Sequence, residues 1–150
     1  MDKIDYIIKK YIDKINNEKQ IAMYYEIGSF IKQNKLNVKN IDLFLKDKYG
    51  IVIAFTDRNL NNMVKFSRYD KKQLEKLKKI TWKNILLIMK NSDELIDICL
   101  EYKPTKQQLE EYINHHKKLK KNDIIELDDT LEELMNLRKW FLWPNISKQN

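Results

Sequence analysis

Glycine and proline are almost missing from this chain, at two each in 150 residues. An all-β fold needs many tight turns built on those residues, so their scarcity argues against one. The only glycines are Gly28 and Gly50, so no glycine-rich phosphate loop can be assembled. The single cysteine, Cys99, excludes an internal disulfide and a multi-thiolate metal site, and suits a reducing compartment. No stretch is apolar enough to span a bilayer, and the opening MDKIDYIIKKYIDKI is broken by charge every few residues, unlike a signal peptide. These absences lead us to expect a soluble cytoplasmic protein with no membrane contact and no implied cofactor.

What is present is helical periodicity. With 43% hydrophobic and 11% aromatic residues the chain can bury a core. Ile4, Ile7, Ile8, Tyr11, Ile12 and Ile15 form one stripe, continued by Ile21, Tyr24, Tyr25, Ile27, Phe30 and Ile31. The spacing predicts a long first helix bent near Asn16–Asn17. Gly28 falls inside it at a cost of about 1 kcal/mol relative to Ala, which calls for close packing of another element. Asn37 is placed to cap a helix through about Lys48, with Ile41, Phe44 and Leu45 inward and Gly50 as its left-handed stop. Ile51–Phe55 reads as a short strand or a buried connector. Thr56 caps Asp57–Arg68, followed by a basic helix over 71–79, helices over 82–89 and 93–102, and one from Thr105 to about Lys120 opened by a Thr–Gln capping box. A last helix spans Asp129–Leu142 before Pro144. The expectation is all-α: a helical domain over 1–121, then an acidic segment and an aromatic helix over 122–150. It has about six or seven helices, a helix-turn-helix-like core between Asn37 and Phe66, and the C-terminal helix packed on it.

The net charge is local. Between Lys65 and Lys90 lie nine basic residues against two acids, which is the whole of the chain's +7; the remaining 20 basic and 20 acidic residues cancel. A cationic window of this kind suits a polyanion. Just before it, the outward face of Asp57–Arg68 carries Arg58, Asn61, Asn62 and Lys65. Arginine and asparagine are the side chains that reach guanine and adenine edges in a major groove. Arg68, Lys71, Lys72, Lys76, Lys79 and Lys83 would hold phosphates. The bland reading is an ordinary helical hairpin with a solvated face, because the connector is longer than a standard helix-turn-helix turn.

The same residues resemble a known family. Tyr24-Tyr25-Glu26-Ile27-Gly28, Tyr49-Gly50 and the run from Phe55 through Asn59-Leu60, Met63 and Phe66 look like the N-terminal domain of YhcG-type proteins. That domain of unknown function usually precedes a PD-(D/E)XK nuclease domain. The family pattern is a Tyr-Trp-x-Ile-Gly helix, a Phe-Ser-x-x-Asn-Leu-x-x-Met-x-x-Phe helix, a Trp-opened helix and a Trp-Ser-x-x-x-Leu segment. Trp82 resembles the third, and Pro104 through Ile113 the fourth. Tyr25 for Trp and Lys83 for Ser are departures; Thr56 for Ser is conservative. The likeness runs from about Tyr24 to Ile113. It implies a helical, DNA-binding module and transfers no catalysis, since the family's nuclease lies beyond this chain's residues.

The other constellations are weaker. Asp97, Glu101 and Lys103 spell a nuclease-like D…ExK, but that site needs carboxylates from adjacent strands converging on Mg²⁺, and here they share one helix. His115 and His116 are the only histidines; helix neighbours point about 100° apart, which is poor for sharing a metal. Glu111 sits one turn from His115 without a third ligand. Cys99 reads as a buried apolar residue. Asp123–Glu133 holds six acids and no base, and is a candidate cover for the basic surface. Trp140 and Trp143 either complete the core or form a partner interface. The expected function is non-catalytic nucleic-acid binding, DNA rather than RNA. The alternative is a small protein-interaction or inhibitor protein, of phage or mobile-element type, that blocks a nuclease or another nucleic-acid enzyme.

Overall fold

A computed structural model describes residues 2–121, with side chains described through Lys117. The expected acidic segment, the last helix, Trp140 and Trp143 lie outside the described residues. Among the described residues the protein is all-α, with eight α-helices, one 3-10 turn and no strand. The helices are α1 (Asp2–Ile12), α2 (Asn17–Gln33), α3 (Val38–Tyr49), α4 (Asp57–Phe66), α5 (Lys71–Leu77), α6 (Trp82–Lys90), α7 (Leu95–Tyr102) and α8 (Lys106–Lys121). The chain divides into two compact units, Met1–Leu86 and a second beginning at Leu87, so the division falls inside α6.

The expected long first helix is two helices. Lys14 takes a positive φ of 52°, and Asn16, in an extended conformation, caps α2 by accepting from the Lys19 amide. The break lets α1 fold back against α2. Lys10 Nζ reaches Glu26 Oε1 at 3.2 Å, and the Tyr11 hydroxyl donates to the same carboxylate. A continuous helix would hold residues 11 and 26 about 22 Å apart. Ile12 and Ile15, expected inward, are exposed because the stripe ends with α1. At the other edge, the buried Asp5 of α1 accepts from Lys48 Nζ at 2.6 Å and from the Tyr49 hydroxyl, and pairs with Lys9 at 3.0 Å. The Lys48 ammonium, and then Tyr49, hold its carboxyl well below the usual range. Tyr49 is pushed up to about 12, by burial first and then by that carboxylate.

The core of the first unit is the pairing of α2 with α4, flanked by α1 on α2 and α3 on α4. Gly28 makes it possible. A Cβ there would overlap the Met63 carbonyl and stand 2.9 Å from the Val64 nitrogen, so backbone meets backbone. Ile21, Tyr24, Ile27 and Ile31 of α2 and Leu60, Met63 and Phe66 of α4 are buried. The capping signals hold in detail: Asn37 accepts from the Lys39 amide, Thr56 from Asn59, and Thr105 and Gln108 exchange hydrogen bonds at 3.2 and 3.0 Å. Gly50 has φ 78° with ψ −165°, a glycine conformation outside the expected left-handed helical region.

Ile51–Phe55 is neither strand nor buried connector. Ile53–Phe55 form a 3-10 turn, Phe55 is buried, and Ile51 and Ile53 stand 86% and 85% exposed. The β-branched run suggested a strand, but among the described residues there is no strand to pair with it. In the second unit, α7 buries Leu95, Ile96 and Cys99, and α8 buries Leu109, Tyr112 and Ile113. Burial pushes the Cys99 thiol up to about 11.

Candidate nucleic-acid interface

The candidate residues all lie in the first unit. On α4, Leu60, Met63 and Phe66 face the core while Arg58, Asn61 and Lys65 are exposed and Asn62 is half-buried. Positions 58, 61, 62 and 65 are spaced as one helical face, opposite the face that Gly28 admits against α2. The fold therefore presents this polar stripe outward on a helix packed closely against α2.

The cations that follow fall on separate elements. Lys71 opens α5, and Lys72 and Lys76 lie one turn apart on the side away from the buried Leu74 and Leu77. Asp70 caps α5 through a complete capping box with Gln73, a spacing already present in the residues. Lys79 follows the helix and Lys83 sits in the first turn of α6; Lys71, Lys72, Lys76, Lys79 and Lys83 are exposed. Arg58, Lys65, Lys71, Lys72, Lys79 and Lys83 pair with no acid among the described residues. Arg68 is differently placed: its guanidinium lies 4.9 Å from the Tyr69 ring centroid and donates to the Tyr69 hydroxyl at 3.0 Å. Lys78 is bound to Glu75 at 2.8 Å.

Several of the residues that carry the resemblance pack within the first unit. Asn59 donates to the Ala54 carbonyl at 2.7 Å and accepts from Trp82 Nε1 at 2.8 Å. Trp82 packs edge-on against Tyr24 at 4.8 Å and Phe66 at 5.3 Å. Tyr25 packs on Phe66 and donates its hydroxyl to the Tyr69 carbonyl at 2.6 Å. Asn17 holds the α5–α6 connector by donating to the Lys78 and Ile80 carbonyls, each at 3.0 Å. Tyr24, Tyr25, Asn59, Phe66 and Trp82 thus form one packing cluster that fixes α2, α4 and the start of α6, with the exposed α4 stripe interleaved in sequence. In sequence Asn59 looks like one more residue of a polar helix; only its partners distinguish it from Asn61 and Asn62.

No family model, curated protein or solved structure matches this chain. Elsewhere, Asp97 and Glu101 are exposed on one helix, α7, with Lys103 capping it at a φ of 46°. His115 is exposed, and His116 is half-buried with its ring 5.8 Å from that of Tyr112. Among the described residues no three His, Cys, Asp or Glu side chains gather as a metal would require. No helix among them is long and apolar enough to cross a membrane.

Proposed function

We propose that the first unit is a non-catalytic module that binds duplex DNA, with α4 in the major groove and the lysines of α5 and α6 on the phosphates. The observation that carries this reading is the outward α4 stripe of Arg58, Asn61, Asn62 and Lys65, whose reverse face is locked against α2. A rigid helix with those side chains has the chemistry to read base edges. The exposed cations after it have the chemistry to fix register on the backbone. The resemblance to YhcG-type N-terminal domains, which implies a helical DNA-binding module, supports the same reading and makes a nuclease acting in trans a candidate partner.

Duplex binding measured against salt tests it. Replacing Lys72, Lys76 and Lys79 with alanine should weaken all sequences alike and flatten the log–log salt slope by about 2.7, at about 0.9 for each phosphate no longer neutralised. Replacing Arg58, Asn61 and Asn62 should reduce sequence preference while leaving the slope nearly unchanged. If both triple variants bind as the parent does, the assignment fails.

A further inference from the structure

Ile51 and Ile53 are the most exposed large hydrophobic side chains among the described residues. They sit on the elbow between α3 and α4, and that elbow is tied down. Gly50 ends α3 with its amide on the Lys46 carbonyl, the Phe55 amide bonds to Val52, and Asn59 holds the Ala54 carbonyl at 2.7 Å. Phe55 anchors the elbow in the core. A single exposed isoleucine is ordinary. Here two of them lie on a hydrogen-bonded elbow that leads into the helix proposed to read DNA.

The end of α4 that follows them is partly satisfied within the chain. Two of its amides are taken: Thr56 accepts from Asn59, and the Asp42 carboxylate accepts from the Asp57 amide at 3.3 Å. What the elbow offers is exposed apolar surface a few residues before Arg58. In the major groove the apolar feature is the C5-methyl of thymine. A recognition helix contacts base edges chiefly with its N-terminal residues, which brings the elbow before it into the groove.

We propose that Ile51 and Ile53 contact thymine methyl groups in the major groove next to the base met by Arg58, so that the module selects thymine-bearing sites. This rests on the DNA-binding reading. Duplex DNA is favoured over a protein as the occupant by the unpaired cations of α4 and α5, Arg58, Lys65, Lys71 and Lys72, in the same unit.

The test starts from the duplex that the full chain selects out of a randomised pool. Its thymines are replaced by deoxyuridine, which removes only the methyl. The parent should lose about four-fold in affinity for each contacted methyl, the value of burying one such group. An Ile51→Ser/Ile53→Ser variant should bind the two duplexes equally. Because both residues are exposed, that variant should keep the parent's urea midpoint, and Ile51→Val/Ile53→Val should restore the discrimination. A parent indifferent to the methyl, or a serine variant that still discriminates, overturns the proposal while leaving DNA binding standing. A parent that binds no duplex overturns both. Equal binding of the two duplexes, with a host protein captured only while the isoleucines are intact, reassigns the elbow to a protein surface and overturns the proposal.

Discussion

Gly28→Ala is the sharpest perturbation the fold offers, because two effects of opposite sign meet at one atom. On an exposed helix the added methyl would stabilise by about 1 kcal/mol. Here it would overlap the Met63 carbonyl and sit 2.9 Å from the Val64 nitrogen, where ordinary contact begins at about 3.5 Å. Both atoms are backbone, so neither can rotate aside. The Met63 carbonyl is the nearer obstacle, so relief requires α2 and α4 to separate by about 1 Å or more, and a gap of that size forfeits about half of the dispersion attraction along the seam. Overpacking costs about 1–3 kcal/mol, and a backbone obstacle places this site at or above the upper end. Net of the helix gain, the variant should lose about 2 kcal/mol in urea denaturation and melt about 4–8 °C lower. On the DNA-binding reading proposed above, it should also bind duplex DNA less tightly, since α4 is the element displaced. A variant as stable as the parent would refute the claim that backbone contact at Gly28 sets the α2–α4 distance.

Asn59→Ala removes the partner of the Trp82 indole and of the Ala54 carbonyl together; stability should fall by about 2 kcal/mol, and a loss below about 0.5 kcal/mol would show that the bridge is dispensable. Asn59→Asp keeps the acceptor for Trp82 but sets a carboxylate oxygen against the Ala54 carbonyl, so it should be no more stable than Asn59→Ala. Asp5 is held ionised by Lys48 and Tyr49, so its folded pKa lies below the unfolded value of about 3.9. Its contribution is present above about pH 4 and is lost as pH falls through the folded value. Asp5→Asn should therefore be less stable than the parent at pH 7, and the gap should close in acid; a constant gap from about pH 7 to about pH 2 in denaturant titrations would contradict the clamp.

Much of the fold is legible in the residues. Caps at Asn37, Thr56 and Thr105, the apolar spacing of α3 and α4, and the demand for close approach at Gly28 are local or periodic signals, and the structure meets each of them. The first helix departs from its expected length because its apolar stripe runs on past a break made by Lys14 and Asn16, and a stripe carries no mark of the chain turning back. Ile51–Phe55 departs from expectation because β-branched composition signals extended backbone whether or not a partner strand exists. The polar face of α4 is legible as a face, but the division of labour within it is not.

By itself the chain's order of residues determined its helical class, most helix boundaries and the confinement of its positive charge, since these depend on neighbours three or four positions away. Which asparagine serves the core and which meets solvent was settled only when Trp82, distant in the chain, arrived beside Asn59. Tertiary contact likewise decided that the most apolar connector would be displayed rather than buried, because a side chain's burial depends on what folds over it and not on its own hydrophobicity.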